Sequence, residues 1–477
     1  MSLSTWARSL FSRLNRVTRE SRARRSQTRF RPRAESLESR LNMAGSVIAT
    51  AVGGTLFITG DDLANELRIE GVTAGTVEVH GVNTTKVNGV DGGEFTAQNI
   101  QNIFMEMGNG DDKATFVLTD VSGLLRFNGG NGKDSLLFGE GNGGTNKFGS
   151  LAAAMGAGDD LIVVDRAETS FEVPGAVVIS NGEGLNNTIL TATNTVVLGP
   201  TSITGGALAD NIQIGNESAV VTTGQISVNG ANGDNQFYLQ AKTAVVNGGI
   251  SLLGGTGADS YYIGVFTGDY TVNGSVTASL GDGQNLLWIG PTEVTVTGLV
   301  SFVGGAGSDT FQLDIDEADL LAVSLSLGAG TNAAYMDNLF GGTTLIRSSL
   351  TVTSQGNTTI NTAGLDVSGA TLLTLGDGTD LIQLDNSRFR SVVTISTGGG
   401  RDRVLLERGF NDGIGLHFDS VVSIDLGAGD DELAVGRSAM DFATFASLIA
   451  NGGAGTDTFT DSPFNVYATP RTLISFP

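Results

Sequence analysis

The chain has 477 residues, of which 69 are glycine and 7 are proline, and it contains no cysteine. The lack of cysteine excludes disulfide bonds and thiolate metal sites. The formal net charge of -23 argues against nucleic acid as a partner, because an acidic body repels phosphate. Glycine at about twice its usual share, beside plentiful Val, Ile, Leu and Phe, indicates turn-rich β structure rather than disorder.

Residues 1–43 differ in charge from the rest of the chain. They carry 11 Arg, no Lys and 3 Glu, a net charge of +8, which leaves -31 for the remaining 434 residues. The segment lacks an apolar run long enough for the core of a signal peptide. No stretch of the chain approaches 18 apolar residues, so we expect no membrane span. We expect residues 1–43 to be a basic, disordered leader that packs on nothing.

The end of this leader contains a short motif. The run from Ala34 to Arg40 reads Ala-Glu-Ser-Leu-Glu-Ser-Arg. It resembles the LE-x-L-E-x-R leader of many planctomycete surface and secreted proteins, with Ala34 in place of the first Leu. The resemblance covers about a dozen residues and implies export, with an extracellular or cell-surface location.

Residues 44–107 contain the first candidate strands, including Thr55–Thr59 and a second segment that starts at Glu66. Their apolar residues alternate with polar ones, which is typical of half-buried strands. Asn65 precedes Asp112 by 47 residues, about two of the repeats described next. We therefore predict that residues 44–107 form the N-terminal coils and cap of a repeat array.

A short frame, Gly-x-Gly-x-Asp or Gly-x-Gly-x-Asn, recurs along residues 108–457. The intervals between frames run from 22 to 29 residues and are mostly 24 to 26. A fixed period of this size is the signature of a solenoid. Three of the frames are degenerate but fall where the spacing requires them: those that end at Asp210, Asn235 and Thr358. The fifteen frame ends are residues 112, 134, 160, 186, 210, 235, 259, 285, 309, 332, 358, 380, 402, 431 and 457.

Between frames, each repeat contains three short segments of alternating apolar residues separated by turn residues. Strands this short bury their apolar side chains only when coils stack about 4.8 Å apart. We predict an all-β fold, a single-stranded parallel β-helix of about 25 residues per coil, right-handed because parallel crossovers almost always are. Residues 458–477 are expected to form a C-terminal cap. Within the array, residues 438–450 suggest one short helix, with apolar residues on one face.

The frame has two interpretations. In the first it is purely conformational, because glycine turns sharply at positive φ and a terminal Asp or Asn bonds nearby backbone. In the second it binds a metal. The sequences Gly254–Asp259 and Gly452–Asp457 resemble the Gly-Gly-x-Gly-x-Asp core of RTX (hemolysin-type) repeats, and that resemblance implies calcium between stacked loops. RTX units repeat every nine residues, so the resemblance covers the loops alone.

Electrostatics suggests where calcium would bind. Carboxylates stacked about 4.8 Å apart repel each other by roughly 1 kcal/mol even in water. From Asp160 to Asn332 the frame ends alternate Asp and Asn, which relieves this repulsion without metal. Towards both ends the frames carry consecutive Asp, and some have a second carboxylate beside the first. The predicted metal ligands are Asp111, Asp112, Asp134, Asp159, Asp160, Asp380, Asp402, Asp430, Asp431 and Asp457.

Two functions remain open at this point. The first is a secreted or cell-surface repeat protein, a monomer with a structural or adhesive role, stabilised by calcium and in contact with cell-surface or matrix components. The second is a carbohydrate-active β-helix enzyme, a polysaccharide lyase or hydrolase. Its charged groups would lie around the longest interval: Arg388, Arg390, Arg401, Arg403, Glu407, Arg408, Asp412 and His417. No residue pattern identifies a catalytic nucleophile, so we expect the first.

Overall fold

The computed structural model describes residues 45–476 except 142, 265–267, 338–341 and 410–412. The predicted leader, residues 1–43, lies outside the described residues. In the described part, every regular element is a β-strand. Parallel strands stack about 25 residues apart in a solenoid of about 14 turns, which confirms the predicted parallel β-helix. At about 4.8 Å per coil, the stack is about 70 Å long.

Three faces make up each coil, and face 1 begins directly after the frame. Its strands pair in parallel from one coil to the next, as in Ser260–Ile263 with Leu286–Ile289. Alternate side chains point inward, because successive residues of a strand point to opposite sides. The strands of face 1 are Glu66–Thr73, Lys113–Val117, Ser135–Phe138, Leu161–Val164, Asn186–Leu190, Asp210–Ile214, Gln236–Leu239, Ser260–Ile263, Leu286–Ile289, Thr310–Asp314, Thr331–Asp337, Asn357–Ala363, Leu381–Asp385, Arg403–Leu406, Glu432–Val435 and Thr458–Asp461.

Faces 2 and 3 complete the coil, and in some coils one long strand bends from face 2 into face 3. Those long strands are Asp120–Asn131, Thr145–Ala157, Glu293–Gly304, Glu317–Ser326, Leu416–Asp425 and Ala443–Asn451. The other strands of face 2 are Ser170–Val173, Thr195–Leu198, Val220–Thr223, Thr243–Val246, Asp269–Val272, Thr343–Ile346, Leu365–Val367, Arg388–Phe389 and Val466–Tyr467. The other strands of face 3 are Thr55–Thr59, Asn102–Asn109, Val177–Ser180, Thr201–Thr204, Ile226–Asn229, Ile250–Leu253, Val276–Gly281, Leu350–Thr353, Thr371–Thr374, Val393–Ser396 and Thr472–Ile474.

A continuous apolar core fills the space between the three faces. Aromatic rings stack where they occupy the same position in successive coils. Phe389, Phe418, Phe445 and Tyr467 stack on face 2, with neighbouring ring centroids 4.9–5.3 Å apart. Near the other end, Phe138 contacts several buried phenylalanine rings. Each coil therefore buries its apolar residues against its neighbours, as its short strands require.

The N-terminal region differs from the expected two coils. Asn65 and Asp112 lie in adjacent coils, because Glu66 is the direct partner of Lys113 in the parallel sheet. The 47 residues between them therefore make one coil. Much of the extra length forms antiparallel pairings, which lie at the end of the stack and provide a cap. A further hairpin before Asn65 adds to this cap. The additional cap strands are Ser46–Val52, Thr76–Gly81, Lys86–Val87, Val90–Asp91 and Glu94–Ala97.

At the other end, the predicted cap at residues 458–477 contains one more set of three parallel strands, which ends at Thr472–Ile474. The guanidinium carbon of Arg471 lies 5.2 Å from the ring centroid of Phe459 and 5.3 Å from that of Tyr467. These contacts cover aromatic rings of the last coil with a charged side chain, a common way to protect an exposed sheet edge. Two short strands, Asp377–Gly378 and Gly399–Gly400, also pair at the frame corner.

The expected helix at residues 438–450 is wrong. Ala443–Asn451 is a strand that pairs in parallel with Leu416–Asp425. The register of this pairing shifts where the strand bends from face 2 to face 3. As a result the inward residues Phe445 and Leu448, both fully buried, are three positions apart. That spacing imitates the period of a helix.

Candidate functional site: a ladder of buried carboxylates

The frame ends stack in one column along the solenoid, next to the start of face 1. Each is buried, with at most 2% of its surface exposed. In the parallel pairings the frame loops of successive coils meet, as Ala157 meets Glu183 and Thr256 meets Asp282. The stacking of coils that the period predicts thus brings these residues into one column. We call this column the ladder.

Each rung of the ladder is a hydrogen bond between adjacent coils. The backbone N–H of one frame end donates to the side-chain Oδ1 of the frame end in the next coil. The distance is 2.9 Å from Asp112 N to Asp134 Oδ1 and 2.8 Å from Asp134 N to Asp160 Oδ1. Rungs of the same kind recur from Asn65 at one end to Asp457 at the other. The step from Asn186 to Asp210 lacks one: Oδ1 of Asp210 has no partner among the described residues, and its Oδ2 accepts the backbone N–H of Gly206 at 2.9 Å. The ladder thus pairs backbone donors that the turn would otherwise leave buried and unpaired.

One position in the ladder uses hydroxyl groups instead. Thr358 stands where other frames have Asp or Asn, and its hydroxyl donates to the Oγ of Ser354 at 2.7 Å. The side-chain amide of Asn332, in the preceding coil, donates to the same Oγ at 3.1 Å. The connection from coil to coil therefore continues through the degenerate frame.

The asparagine rungs show which type of atom fits at the second side-chain position of a frame end. Nδ2 of Asn285 donates to the carbonyl of Gly281 at 2.9 Å, and Nδ2 of Asn186 donates to the carbonyl of Gly184 at 3.2 Å. In these rungs Oδ1 accepts from the neighbouring coil while Nδ2 donates within its own loop. In these asparagine rungs the second side-chain position is therefore a donor position.

An aspartate in the same position has no donor to offer when it is ionised. The Oδ2 atoms of Asp134, Asp160 and Asp380 are buried and have no hydrogen-bond partner in the described part of the chain. A buried, unpartnered carboxylate oxygen is costly. Each of these oxygens can be satisfied by taking up a proton, which makes the carboxyl group resemble Asn, or by binding a cation.

The glycine at the start of the best frames makes room for this carboxyl group. A Cβ on Gly254 would lie 2.1 Å from Oδ2 of Asp259 and 2.6 Å from the carbonyl oxygen of Leu280. The later glycine in the same frame, Gly257, has φ +137°, and its Cβ would lie 2.2 Å from the carbonyl oxygen of Gly233. The first glycine thus accommodates the buried side chain, and the later one permits both the turn and the close stacking of loops.

Burial shifts the titration of the ladder. It raises the pKa of Asp112 and Asp380 to about 7, and that of Asp134 and Asp160 to about 6. In all four cases loss of hydration is the main cause. Repulsion from a neighbouring carboxylate adds to it, as Asp134 does for Asp112 and Asp402 does for Asp380.

In the alternating part of the ladder, the Oδ2 atoms of Asp259 and Asp309 are also without a partner among the described residues, but their Oδ1 atoms receive an amide donor. Nδ2 of Asn235 donates to Oδ1 of Asp259 at 2.9 Å, and Nδ2 of Asn285 donates to Oδ1 of Asp309 at 2.8 Å. Burial still raises the pKa of both aspartates, but these amide donors oppose the rise. The alternation therefore supplies hydrogen-bond donors to the carboxylates as well as spacing them apart.

The structure separates the predicted metal ligands into two groups. The frame-end residues Asp112, Asp134, Asp160, Asp380, Asp402, Asp431 and Asp457 are buried in the ladder. Their neighbours Asp111, Asp159 and Asp430 are exposed, and each accepts a backbone N–H from the next coil at 2.8–2.9 Å. Among the described residues, no group of three or more His, Cys, Asp or Glu is arranged to hold a metal ion.

The charged cluster around the longest interval is divided into separate ion pairs. Arg388 pairs with Asp419 at 2.8 Å, and Arg403 pairs with Glu432 at 2.8 Å. The guanidinium of Arg390 lies 2.6 Å from Asp366, and that of Arg408 donates to the carbonyl of Gly436 at 2.8 Å. The ring of His417 contacts Phe442 edge-on. Asp412 lies outside the described residues. These contacts tie coils together and do not converge on one point.

Sequence reasoning missed a second group of carboxylates, at the end of face 1. Asp314 and Asp337 are direct partners in adjacent coils. Gln312 donates to Asp314. Burial raises the pKa of Asp337 to about 6, with repulsion from Asp314 and Asp385 as further causes. Oδ1 of Asp337 is buried without a partner among the described residues. Only the register of the sheet, which the frame spacing fixes, could have revealed this pair.

An aromatic row lies beside these carboxylates on the outer side of face 1. Tyr238, Tyr262 and Trp288 occupy the same position in three successive coils. The two tyrosine rings are parallel, with centroids 4.8 Å apart. Tyr335 occupies this position two coils further on, beyond Gln312. Aromatic and acidic side chains therefore share one end of this face.

Comparison with known proteins adds no family assignment: no family model, no curated protein and no solved structure matches this chain. In the described residues there is no helix long and apolar enough to cross a membrane.

The raised pKa values predict a dependence of stability on pH. The folded protein holds these protons at pH values where the unfolded chain, with ordinary carboxyl pKa values near 4, has released them. The ladder therefore stabilises the fold fully below about pH 4, and that contribution is lost as the pH rises through 6 and 7. We expect the free energy of unfolding to decrease between pH 5 and pH 8.

Replacing Asp134 with Asn should reduce that decrease by about 1.4 kcal/mol, because the pKa of Asp134 lies about one unit above pH 5 and the amide fits the donor position at every pH. Urea unfolding of Asp134→Asn and of the unmodified protein at several pH values measures this. Asp259→Asn is the matched control, since Asn235 already donates to Asp259, and it should change the pH dependence less. A pH profile of Asp134→Asn identical to that of the unmodified protein would contradict the prediction.

Proposed function

We propose that this protein is a structural and adhesive repeat protein, secreted or held at the cell surface. Two observations support the proposal. The described coils form one stack, and the ladder bonds most of them to their neighbours between Asn65 and Asp457. The leader resembles those of exported surface proteins. Together these describe an elongated body suited to presenting its faces outside the cell.

The observation that carries the proposal is the ladder. Its rungs use buried side chains to bond one coil to the next over most of the length of the solenoid. Each coil is tied to both neighbours by polar bonds and by stacked apolar rows, so that opening one coil also breaks contacts in the next. This is the property that a scaffold or an adhesive stalk requires.

Surface exposure tests the proposal directly. Intact cells that produce the protein should lose it on brief treatment with an added protease or should label it with a membrane-impermeant reagent. Removing residues 1–43 should abolish this exposure while the remaining solenoid still folds, as thermal melting can verify. Protein found inside intact cells, protected from both reagents, would rule out a surface role.

Calcium is a second element of the proposal. The unpartnered Oδ2 atoms of Asp134, Asp160 and Asp380 are suitable oxygen ligands for a hard cation, and frame carbonyls could supply further oxygens. The consecutive aspartates near the two ends offer more negative charge than the alternating centre. We therefore place calcium at the ends of the ladder and expect it to raise the melting temperature.

The test compares thermal melting with calcium and with a chelator at pH 8, where protons compete least. Replacing Asp402 and Asp431 with Asn should remove much of any stabilisation by calcium, whereas Asp259→Asn should remove little. Equal losses in both variants would rule out sites near the ends. If calcium has no effect on the unmodified protein, protons alone neutralise the ladder.

One observation favours the enzymatic alternative, and it concerns a site other than the arginine cluster. Asp314 and Asp337 lie in adjacent coils, and the aromatic row lies beside them. Glycosidases use two carboxyl groups, one of them protonated, on either side of the bond that they break. Asp337, which keeps its proton to about pH 6, would act as the acid and Asp314 as the base or nucleophile.

A panel of polysaccharides assayed for new reducing ends tests this alternative. The unmodified protein should release reducing ends from at least one of them, and Asp337→Asn should release none while melting normally. Glu293→Gln, on face 2, is the control and should retain activity. The absence of hydrolysis by the unmodified protein would remove the enzymatic alternative.

A further inference from the structure

Face 3 is free of charged side chains over ten successive coils, from Val177 to Ser396. Within these coils, neither outward position of the face 3 strands holds Asp, Glu, Lys or Arg. Charge returns beyond this region, at Asp425 in the next coil on one side and at Arg126 two coils away on the other. In a chain with 77 acidic and basic residues, such a long neutral face is unusual. We call it the neutral face.

Hydroxyl groups dominate the neutral face. Its outward side chains form two columns, one residue per coil in each. The first column is Val178, Ser202, Ser227, Ser251, Thr277, Ser301, Ser324, Thr351, Leu372 and Thr394. The second column is Ser180, Thr204, Asn229, Leu253, Ser279, Val303, Ser326, Thr353, Thr374 and Ser396.

The few residues in these columns without a hydroxyl group are mostly aliphatic and exposed. Val178 is 51% exposed, Leu253 is 41% exposed, and Val303 and Leu372 are each 40% exposed. Further aliphatic side chains border the face at its corner with face 2, such as Leu299 and Val392. The surface therefore mixes hydroxyl groups with small apolar patches and has no charge of either sign.

The geometry of this face is regular. Neighbouring side chains in one column are one coil apart, about 4.8 Å, and the two columns are two residues apart along each strand, about 6.7 Å. Over ten coils the array extends for about 45 Å. No loop interrupts the strands from Val177–Ser180 to Val393–Ser396, and the ladder and core hold the coils in place. The side chains thus form a flat, periodic, preorganised surface.

Face 2 of the same coils is different. Asp269, Glu293 and Glu317 are direct partners in three successive coils. Asp319 and Asp366, on the same face, pair with Arg347 and Arg390. A cationic partner would bind better at face 2, and an anionic partner would be repelled by the protein as a whole. Charge alone therefore selects an uncharged partner for the neutral face.

We propose that the neutral face binds an uncharged, extended polysaccharide of β-linked sugars, lying along the solenoid axis. Sugar hydroxyls match the hydroxyl columns, because each group can both donate and accept. The aliphatic side chains match the C–H faces of the sugar rings. A polymer repeats its contacts once per coil, so that many weak hydrogen bonds add up along the array. This proposal rests on the adhesive function and names its partner class.

A second copy of this chain is the main competing occupant. Two neutral faces packed together would bury roughly 10 Å by 45 Å on each protein, about 450 Å². Stable dimers usually bury about 800 Å² on each partner. The neutral face is thus too narrow for a stable dimer of its own, and a thin polysaccharide chain fits its width better.

Binding to insoluble cellulose and to insoluble chitin, measured by co-sedimentation, tests the proposal. The unmodified protein should bind at least one of them, in high salt as well as low, since no charges take part. The variant Ser251→Lys/Ser301→Lys places two charges in the first column, two coils apart. It should lose affinity by about tenfold or more.

The matched control is Ser260→Lys/Thr310→Lys, which places two charges on face 1 at the same two-coil separation. It should bind within about twofold of the unmodified protein, and all three proteins should melt alike. Equal losses in both variants, or no binding of the unmodified protein to either polysaccharide, would overturn the proposal. Self-association that only the face 3 variant abolishes would assign the neutral face to a second copy.

This experiment is separate from the test of the proposed function. A protein that is exposed on intact cells but binds neither polysaccharide would keep its surface role and lose this partner class. A protein that binds a polysaccharide through the neutral face but remains inside the cell would keep the binding site and lose the surface role.

Discussion

The hydrogen bond between one frame end and the next is the interaction on which this structure depends. Each turn between strands leaves a backbone N–H facing the interior, where water cannot reach it. In most coils the side chain of the next frame end accepts that N–H. The ladder therefore supplies acceptors for these buried N–H groups, and it needs only one residue per coil. The glycines of the frame make room for that residue, and the choice between Asp and Asn sets its charge.

The choice between Asp and Asn at this position has electrostatic consequences. Asn fills both side-chain positions of the rung with the correct groups, an acceptor and a donor. Asp provides the acceptor but places a second oxygen where a donor belongs. Alternating the two lets each Asn amide donate to a neighbouring carboxylate, as Asn235 does to Asp259. Where aspartates follow one another, as at Asp112 and Asp134, the cost appears as raised pKa values.

Much of the fold could be predicted because the frame repeats. The period predicts that the coils stack, and the fixed position of Asp or Asn within each frame predicts the column of buried side chains. Two local predictions were wrong for the same reason: a spacing was converted directly into structure. The 47 residues from Asn65 to Asp112 matched two periods but form one coil with hairpins. Phe445 and Leu448 matched a helical spacing but lie on either side of a bend in a strand.

The candidate sites were harder to predict, because they depend on register between coils. Asp111 and Asp112 are neighbours in sequence and match one ligand set, yet Asp111 is exposed and Asp112 is buried. Asp314 and Asp337 are 23 residues apart and become neighbours only when the coils are aligned. The neutral face is similar, since a serine in one strand is unremarkable. The outward residues form a column only when the ten strands are stacked in register.

Variation in coil length is confined mostly to one place, and this has a consequence for how the protein can change. The 29-residue interval from Asp402 to Asp431 keeps the normal register on face 1, where Arg403 pairs with Glu432, and its extra residues follow Leu406. The extra length falls between Leu406, the last residue of a face 1 strand, and Leu416, the first residue of the next face 2 strand, away from the ladder and from face 3. New segments can enter the chain there without shifting a single rung. That connection is thus the natural position for acquired loops in evolution, and for peptides grafted by design.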